Sequence, residues 1–418
     1  MRTRTTDRAT TAPPQRQPCV LLAIDFLSYR SGAELFARDL AIGLHQRGYR
    51  IIVHAPQIGD IGDELEAAGI ACNRDLLQLS DAPDLIIGNT RRATVSTLAR
   101  FGNVPVLSVC HDSLHRHGEP PRFTRIHRHV AVDANTRERL LAGGIAADRV
   151  CMIQNGVDVR RFTPRAALPA QPRRAAIFSN YATNGEETAA IAAACAARGI
   201  ALDVIGKESG NQAREPERVL AQYDLVFAKA RCALEAMAVG CAVILANEGM
   251  GMGEMVQLAQ LPHLRLWNFG RRLLLAPIDR AAVGEQIDRY DPHDAARVRD
   301  AIRAEAALET TVDAFAALVR ATLAPGAFTP PLAREEWHQL TDYAVEEQAH
   351  GLTVQECVWL MQRLRERAEE AVAQAHGTEH AAAAMRASLS WRITAPLRVL
   401  GAIAARSKRR APTDGNAG

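Results

Sequence analysis

The run Asp224-Leu-Val-Phe-Ala-Lys-Ala-Arg-Cys-Ala-Leu-Glu-Ala-Met-Ala-Val-Gly-Cys-Ala-Val-Ile-Leu245 decides how this chain folds. Leu225 to Ala228 is short and apolar throughout, as a buried parallel strand requires. The spacing after it predicts a helix from about Cys232 to Val239, with Leu234, Met237 and Ala238 on its packing side and Glu235 turned elsewhere near the N-terminus. Gly240 stops that helix, and Ala242 to Leu245 is a second apolar strand. A helix N-terminus at the carboxyl end of a parallel strand offers free N–H groups and a favourable dipole to a phosphate. A carboxylate one turn in can accept both hydroxyls of a ribose. Leu-Glu-Ala-Met-Ala on its own is good helix sequence and nothing more. Its setting between two strands gives it a functional reading.

Length and composition fit two domains and an extension, since 418 residues, 48% of them hydrophobic, suffice for ordinary cores. A net charge of +3 gives no global attraction to nucleic acid, and sparse aromatics give no base-stacking surface. The eight cysteines are widely spaced and form no Cys-x-x-Cys pair, so they read as reduced core residues of a cytosolic protein. Met1 to Pro18 is polar, Arg/Thr-rich and without an apolar core segment, which predicts disorder rather than a signal peptide or anchor.

From Cys19 apolar strands alternate with helices. The strand candidates are Cys19 to Ile24, Arg50 to His54, Asp84 to Gly88, Val104 to Cys110 and His129 to Val132, a βαβ pattern that predicts a parallel sheet. The first connection, Asp25-Phe-Leu-Ser-Tyr-Arg-Ser-Gly-Ala-Glu34, leads into a helix with Leu35, Leu40 and Leu44 on its buried stripe. Val106-Leu-Ser-Val-Cys-His-Asp-Ser-Leu-His115 puts His111 and Asp112 where a buried strand emerges at its carboxyl end, the place ligands take in open α/β sheets. A neutral imidazole there can hydrogen-bond a substrate hydroxyl or organise an acceptor. A solvated loop histidine is one competing reading. A metal site of His111, His115 and His117 is another, though no cysteine or further carboxylate completes a ligand set. Asp133 to Thr136 supplies the polar start of another helix. In Val150-Cys-Met-Ile-Gln-Asn-Gly-Val-Asp-Val-Arg-Arg-Phe162, Asn155-Gly156 predicts a turn with positive φ and Phe162 a hydrophobic plug. Pro164 to Pro172 reads as a linker. Strands near Ala175 to Ser179, Ala201 to Ile205, Leu225 to Ala228 and Ala242 to Leu245 then make a second domain.

Several of these segments carry a family resemblance. Leu234-Glu-Ala-Met-Ala-Val-Gly240 resembles the donor-binding helix of GT-B glycosyltransferases, most closely group 1 (family 4), which use activated sugars. Ser31-Gly-Ala-Glu34 resembles their Gly-Gly-Ala-Glu turn, with Ser31 for the first glycine, and Asn155-Gly-Val-Asp158 with Phe162 resembles the segment ending their first domain. The resemblance spans roughly Val20 to Arg320 and implies an α/β fold of GT-B type. That means two tandem Rossmann-like doubly wound domains, an acceptor domain over 19–164 and a nucleotide-sugar donor domain over 173–325, plus a helical C-terminal extension. It implies His111, with Asp112, near the transferred sugar, and Ser31 and Gly32 at the acceptor or the phosphates. Lys229, Arg231, Ala233, Leu234 and Glu235 would form the donor site. Gly249 and Gly251, with Gly253, would lie over the donor sugar, in a glycine-rich run, Asn247 to Met255, read as a flexible loop ahead of a helix. It further implies retention of anomeric configuration, no metal, and a nucleotide-sugar as substrate with no cofactor.

Two departures from the family matter. Its members place an Arg and then a Lys after the first strand of the second domain, where both hold the donor diphosphate. Ser179-Asn-Tyr-Ala-Thr-Asn-Gly-Glu-Glu187 has no cation there, leaving Lys207, Lys229 and Arg231 as substitutes, the last two the better placed. Members also carry a second Glu eight residues before Glu235, and Phe227 stands at that position.

Beyond Thr329 the reading is of an extension, 329–390, and a tail, 391–418. Thr353-Val-Gln-Glu356 fits a capping box, and apolar residues from Val354 to Ala375 recur at three- and four-residue intervals. That predicts a helix over 353–376 that either docks on the enzyme or pairs as a short coiled coil. Ser388-Leu-Ser-Trp-Arg-Ile-Thr-Ala-Pro-Leu-Arg398 resembles a tail seen on bacterial surface-polysaccharide glycosyltransferases, and the basic stretch from Trp391 to Arg410 suits an anionic membrane surface or a disordered tail. The expectation is therefore a cytoplasmic glycosyltransferase, peripheral at the inner membrane face, that extends a glycan or lipid-linked acceptor. The departures favour a second reading, a GT-B protein without transfer chemistry that binds or scaffolds. A nucleotide-sugar epimerase shares the fold, yet no internal acid/base set is identifiable.

Overall fold

A computed structural model describes residues 16–331, 334–351 and 355. The expected helix over 353–376 and the basic tail lie outside the described residues, apart from Gln355. The chain divides into two compact units, Met1–Leu340 and Thr341–Gly418. In the second, residues 341–351 are helical.

The first unit contains two large sheets. Strands β1 (Cys19–Ala23), β3 (Arg50–His54), β5 (Ala71–Asn73), β6 (Leu85–Gly88), β7 (Val106–Cys110), β8 (Ile126–Ala131) and β9 (Val150–Met152) form a sheet in the order β5-β3-β1-β6-β7-β8-β9. All of its pairings are parallel. β2 (Phe26–Leu27) and β4 (Gln57–Ile58) make a separate parallel pair. Helices α1 (Gly32–Gln46), α2 (Asp60–Ala67), α3 (Arg91–Arg100) and α4 (Ala134–Ala142) connect the strands. β1 is buried along its whole length, the signature of a strand covered on both faces. α4 begins with a capping box between Asp133 and Thr136.

The second sheet has the order β11-β10-β12-β13-β14, from β10 (Arg174–Phe178), β11 (Ala201–Ile205), β12 (Leu225–Ala228), β13 (Ala242–Asn247) and β14 (Gly251–Met255). Its helices are α5 (Glu186–Ala196), α6 (Pro216–Leu220), α7 (Ala230–Val239), α8 (Leu261–Leu266), α9 (Arg280–Ile287) and α10 (Pro292–Glu305). Helix α11 (Leu308–Leu323) returns to the first core, where Val312, Phe315, Ala316 and Val319 pack with Phe36, Leu40 and Leu44 of α1. The chain thus crosses between domains twice, and both crossings meet at Val157, whose N–H donates to Ala306 O at 2.9 Å and whose carbonyl accepts from Leu308 N at 2.9 Å.

Two local expectations are corrected. Neither Asn155 nor Gly156 has positive φ. Gly156 instead permits the close approach of the α11 segment, because a Cβ there would lie 2.7 Å from Thr311 Oγ1 and 2.8 Å from Leu308 Cα. The glycine-rich run after Asn247 is not a flexible loop ahead of a helix but the edge strand β14, antiparallel to β13. Gly251, at φ +103°, would place a Cβ 2.6 Å from Ala276 O, so its lack of a side chain answers to packing against the 273–276 segment.

Candidate functional site

A single residue, Lys229, joins β12 to α7. So sharp a reversal uses left-handed backbone, and Ala230 supplies it at φ +48° with its N–H donating to Phe269 O at 2.8 Å. A non-glycine residue held there costs about 1–3 kcal/mol, a strain typical of functional turns. The short turn also explains Phe227. It lies inside β12 and is fully buried with Ile177, Ile191 and Ile244. A carboxylate at 227 would point into that apolar core, so the missing acid reflects a connection too short to present one.

Glu235 sits one turn into α7 and is buried. Arg231, four residues earlier, donates from Nε to Glu235 Oε1 at 2.8 Å and from Nη2 to Asp39 Oδ2 at 2.6 Å. Asp39 belongs to α1, so this guanidinium bridges the two sheets' domains. Arg38 donates to Asp39 from Nε at 2.8 Å and from Nη2 at 2.6 Å, and its Nη1 reaches Glu64 at 2.8 Å. Glu64 in turn takes a 2.6 Å bond from Arg30. Burial pushes the Glu235 carboxyl above its usual range, against the pull of Arg231. Burial also pushes Asp39 up, but Arg231 and Arg38 together hold it below the ordinary carboxylate value.

A cavity of about 90 Å³ adjoins this chain of charges, and its lining includes Ser31, Gly32, Arg161, Asn180, Arg231 and Glu235. The turn before α1 and the helix after β12 therefore line one cavity. Ser31 is the N-cap residue of α1 and donates its hydroxyl to Glu34. A Cβ built at Gly32 meets no atom within 4 Å, and Gly32 lacks a positive φ, so the fold itself does not demand glycine there. Elsewhere along the domain seam Asn180 Nδ2 donates to Arg30 O at 3.0 Å, Lys207 lies 4.6 Å over the Tyr29 ring, and Arg272 pairs with Glu138 at 2.7 Å.

His111 stands at the carboxyl end of β7. Its Nε2 is 3.0 Å from Asn89 Oδ1, and its ring meets Phe36 edge-on at 4.7 Å. Asn89 is itself buried just beyond β6, so the imidazole is held by two successive strand ends. Asp112 organises the following loop, accepting from Leu114 N at 2.7 Å and meeting His115 Nδ1 at 2.5 Å.

Lys229 lies with its ammonium 5.5 Å over the Tyr181 ring. Burial lowers its pKa, and Arg271 nearby adds to the effect. Among the described residues no carboxylate lies within ion-pair distance of Lys229 or Arg271, unlike Arg231. The loop after β10, where the resembling family carries its cations, holds an anion instead: Glu248 accepts from Thr183 N and Thr183 Oγ1, each at 2.5 Å. Gly249 N donates to Glu187 Oε2 at 2.7 Å in the same cluster. The Ala233 and Leu234 side chains are fully buried in the α7 core.

Sequence reasoning missed Asp39, Asn89 and Asn180. Asp39 carried a signal, since it follows Leu35 by four residues and so lies on a predominantly apolar helix stripe.

The family model for Glycosyltransferase Family 4 matches residues 30–161, which contain the Gly32 turn, Asp39 and His111. No curated protein matches the chain. Among solved structures, a glycosyltransferase from Rickettsia africae is similar at TM-score 0.55 and 11% identity, over 74% of this chain and 100% of that one. Anabaena HepE in complex with UDP-glucose is similar at TM-score 0.54 and 17% identity, over 73% and 99%. Sucrose-phosphate synthase from Thermosynechococcus elongatus is similar at TM-score 0.50 and 16% identity, over 73% and 98%. The chain has the GT-B glycosyltransferase fold. No helix among the described residues is long and apolar enough to cross a membrane.

Proposed function

We propose that this GT-B protein is a retaining glycosyltransferase of group 1 type. It takes a sugar from a nucleoside diphosphate donor and passes it to a glycan or lipid-linked acceptor in bacterial surface polysaccharide synthesis. The observation that carries the reading is the convergence of the Gly32 turn and Glu235 on one cavity between the two domains. The complex of HepE with UDP-glucose supports a nucleotide-sugar donor on this fold, and the Ser388 to Arg398 resemblance supports the polysaccharide setting.

In this reading Glu235 accepts the ribose hydroxyls. The diphosphate meets the N-terminus of α7, Lys229 and Arg271, which compensate the charge that grows on the leaving group as the glycosidic bond breaks. His111, fixed by Asn89 and Phe36, contacts the sugar or the incoming acceptor hydroxyl from the first domain. The protein works at the inner membrane face through its basic tail.

A thermal-shift screen of the full chain with UDP, GDP, dTDP, CMP and their sugars tests the donor. One nucleotide series should stabilise the fold, by about 2.7 kcal/mol at a hundredfold excess over Kd. No shift with any member contradicts the reading. The carboxylate of Glu248 seated on the Thr183 amide favours a second reading, in which the chain binds without transferring. Nucleotide-sugar binding with neither transfer nor hydrolysis would select it.

A further inference from the structure

The Asp39–Arg231–Glu235 triad has a consequence for how a donor enters. Glu235 is the only acid on α7, and its neighbour Arg231 already occupies it at 2.8 Å. The 90 Å³ beside it is well below the roughly 300 Å³ and upward that small-molecule sites occupy. A second cavity of about 360 Å³ lies along the same seam, its lining including Arg38, Asp39, Glu64, Arg160 and Arg161. Arg161 lines both cavities. Arg38 and Asp39 line the larger one, Arg231 and Glu235 the smaller, and the 2.6 Å Asp39–Arg231 bond joins a residue of one lining to a residue of the other.

We infer that Asp39 is a positioning residue of the donor site, a clasp that holds Arg231 on Glu235 until a nucleotide takes Glu235 over. The inference rests on the reading of Glu235 as the ribose ligand. Ribose hydroxyls that hydrogen-bond to Glu235 displace the Arg231 Nε. The freed guanidinium then faces the donor phosphates, and its bond to Asp39 breaks. Asp39 is not left uncompensated, because Arg38 retains both of its hydrogen bonds to it. Arg38 in turn stays on Glu64. This second cation lets Asp39 give up Arg231 without leaving an unpaired buried charge, the situation that makes breaking such pairs costly. The same release disengages the first domain from α7 and loosens the neighbouring contact of Asn180 with Arg30 O.

The test compares the full chain with its Asp39→Asn variant by two readouts, hydrogen exchange of residues 29–35 and 178–182, and calorimetric titration with UDP, GDP, dTDP and CMP. The clasp predicts faster exchange at both lips in the variant without nucleotide. It also predicts about tenfold tighter nucleotide binding, as follows if the competent open state rises from about a tenth of the population to most of it. Unchanged exchange, or faster exchange with unchanged affinity, overturns the inference. Nucleotide binding to neither chain overturns the Glu235 reading itself, whereas equal binding to both sinks the clasp alone. Should Asp39→Asn fail to fold, the Arg231→Met/Glu235→Gln double variant gives the exchange readout, since Asp39 remains paired with Arg38 and no buried carboxylate is left without its cation. Lips as protected as in the native chain would then contradict the clasp.

Discussion

Asp39 Oδ2 lies 2.6 Å from Arg231 Nη2, and this one bond ties a helix of the first domain to the residue that pairs with Glu235 in the second. The candidate donor site is thus built across the domain seam, and Glu235 and Asp39 already carry cationic partners before any ligand arrives.

Gly32→Ala separates folding from binding. The position starts α1, has no positive φ and offers open space to a Cβ, so alanine should stabilise the fold by about 0.4–1 kcal/mol. The added methyl lies at the cavity wall and should weaken ligand binding. A rise in melting temperature with undiminished nucleotide affinity would show that Gly32 is an ordinary helix-start glycine.

Lys229→Met should weaken binding of nucleoside diphosphates by about tenfold or more, since a hydrogen bond to a charged group contributes about 1.5–3 kcal/mol. The matching nucleoside, which lacks phosphate, should bind as before. Equal losses for the two ligands would mean that Lys229 supports the site only through Tyr181 and the turn.

His111→Ala should lower turnover by about a hundredfold or more while leaving nucleotide affinity nearly unchanged, because the imidazole is held on the first domain, away from Glu235. Normal turnover with a competent acceptor would reduce His111 to a loop residue.

His129 gives a pH signature of the fold. It lies in β8, is 1% exposed, and among the described residues its Nδ1 has no hydrogen-bond partner. Burial, helped by Arg149, pushes its pKa from 6.5 down to about 3. Below pH 6.5 the unfolded chain takes up a proton that the folded chain refuses until about pH 3. The contribution is therefore complete above 6.5 and is lost as pH falls, by up to about 1.4 kcal/mol per unit. Urea midpoints should fall between pH 7.5 and 5, and His129→Gln should flatten that slope whatever its effect at pH 7.5. Equal slopes would contradict a buried neutral imidazole.

Much of the architecture was legible because its signals are local. Apolar runs such as Cys19 to Ala23 and Leu225 to Ala228 announce buried parallel strands, and Gly240, at φ +100°, ends α7 where expected. The two edge strands β5 and β9, three residues each and only half buried, carry too little pattern to be seen. β14 was hidden by its glycines, whose purpose depends on the distant 273–276 segment. The site was legible only in halves. Glu235 and Gly32 stood out within their own elements, but the Asp39–Arg231 contact does not, since the second guanidinium on Asp39, after that of Arg38, comes from almost two hundred residues later in the chain. Likewise Phe227 read as a lost acid until the one-residue turn showed that the strand has no room to present one.

Calorimetric titration of the full chain and its Glu235→Gln variant, with the nucleotide selected by the thermal screen, decides whether Glu235 holds the donor. The wild-type chain should bind the nucleotide, and the variant should bind it at least tenfold more weakly, having lost a charged acceptor for the ribose hydroxyls. Glu235 is buried on Arg231, so the variant should also lose stability, and a melt must show that it is folded at the titration temperature. A folded Glu235→Gln chain with native nucleotide affinity would contradict the assignment of Glu235 to the donor site.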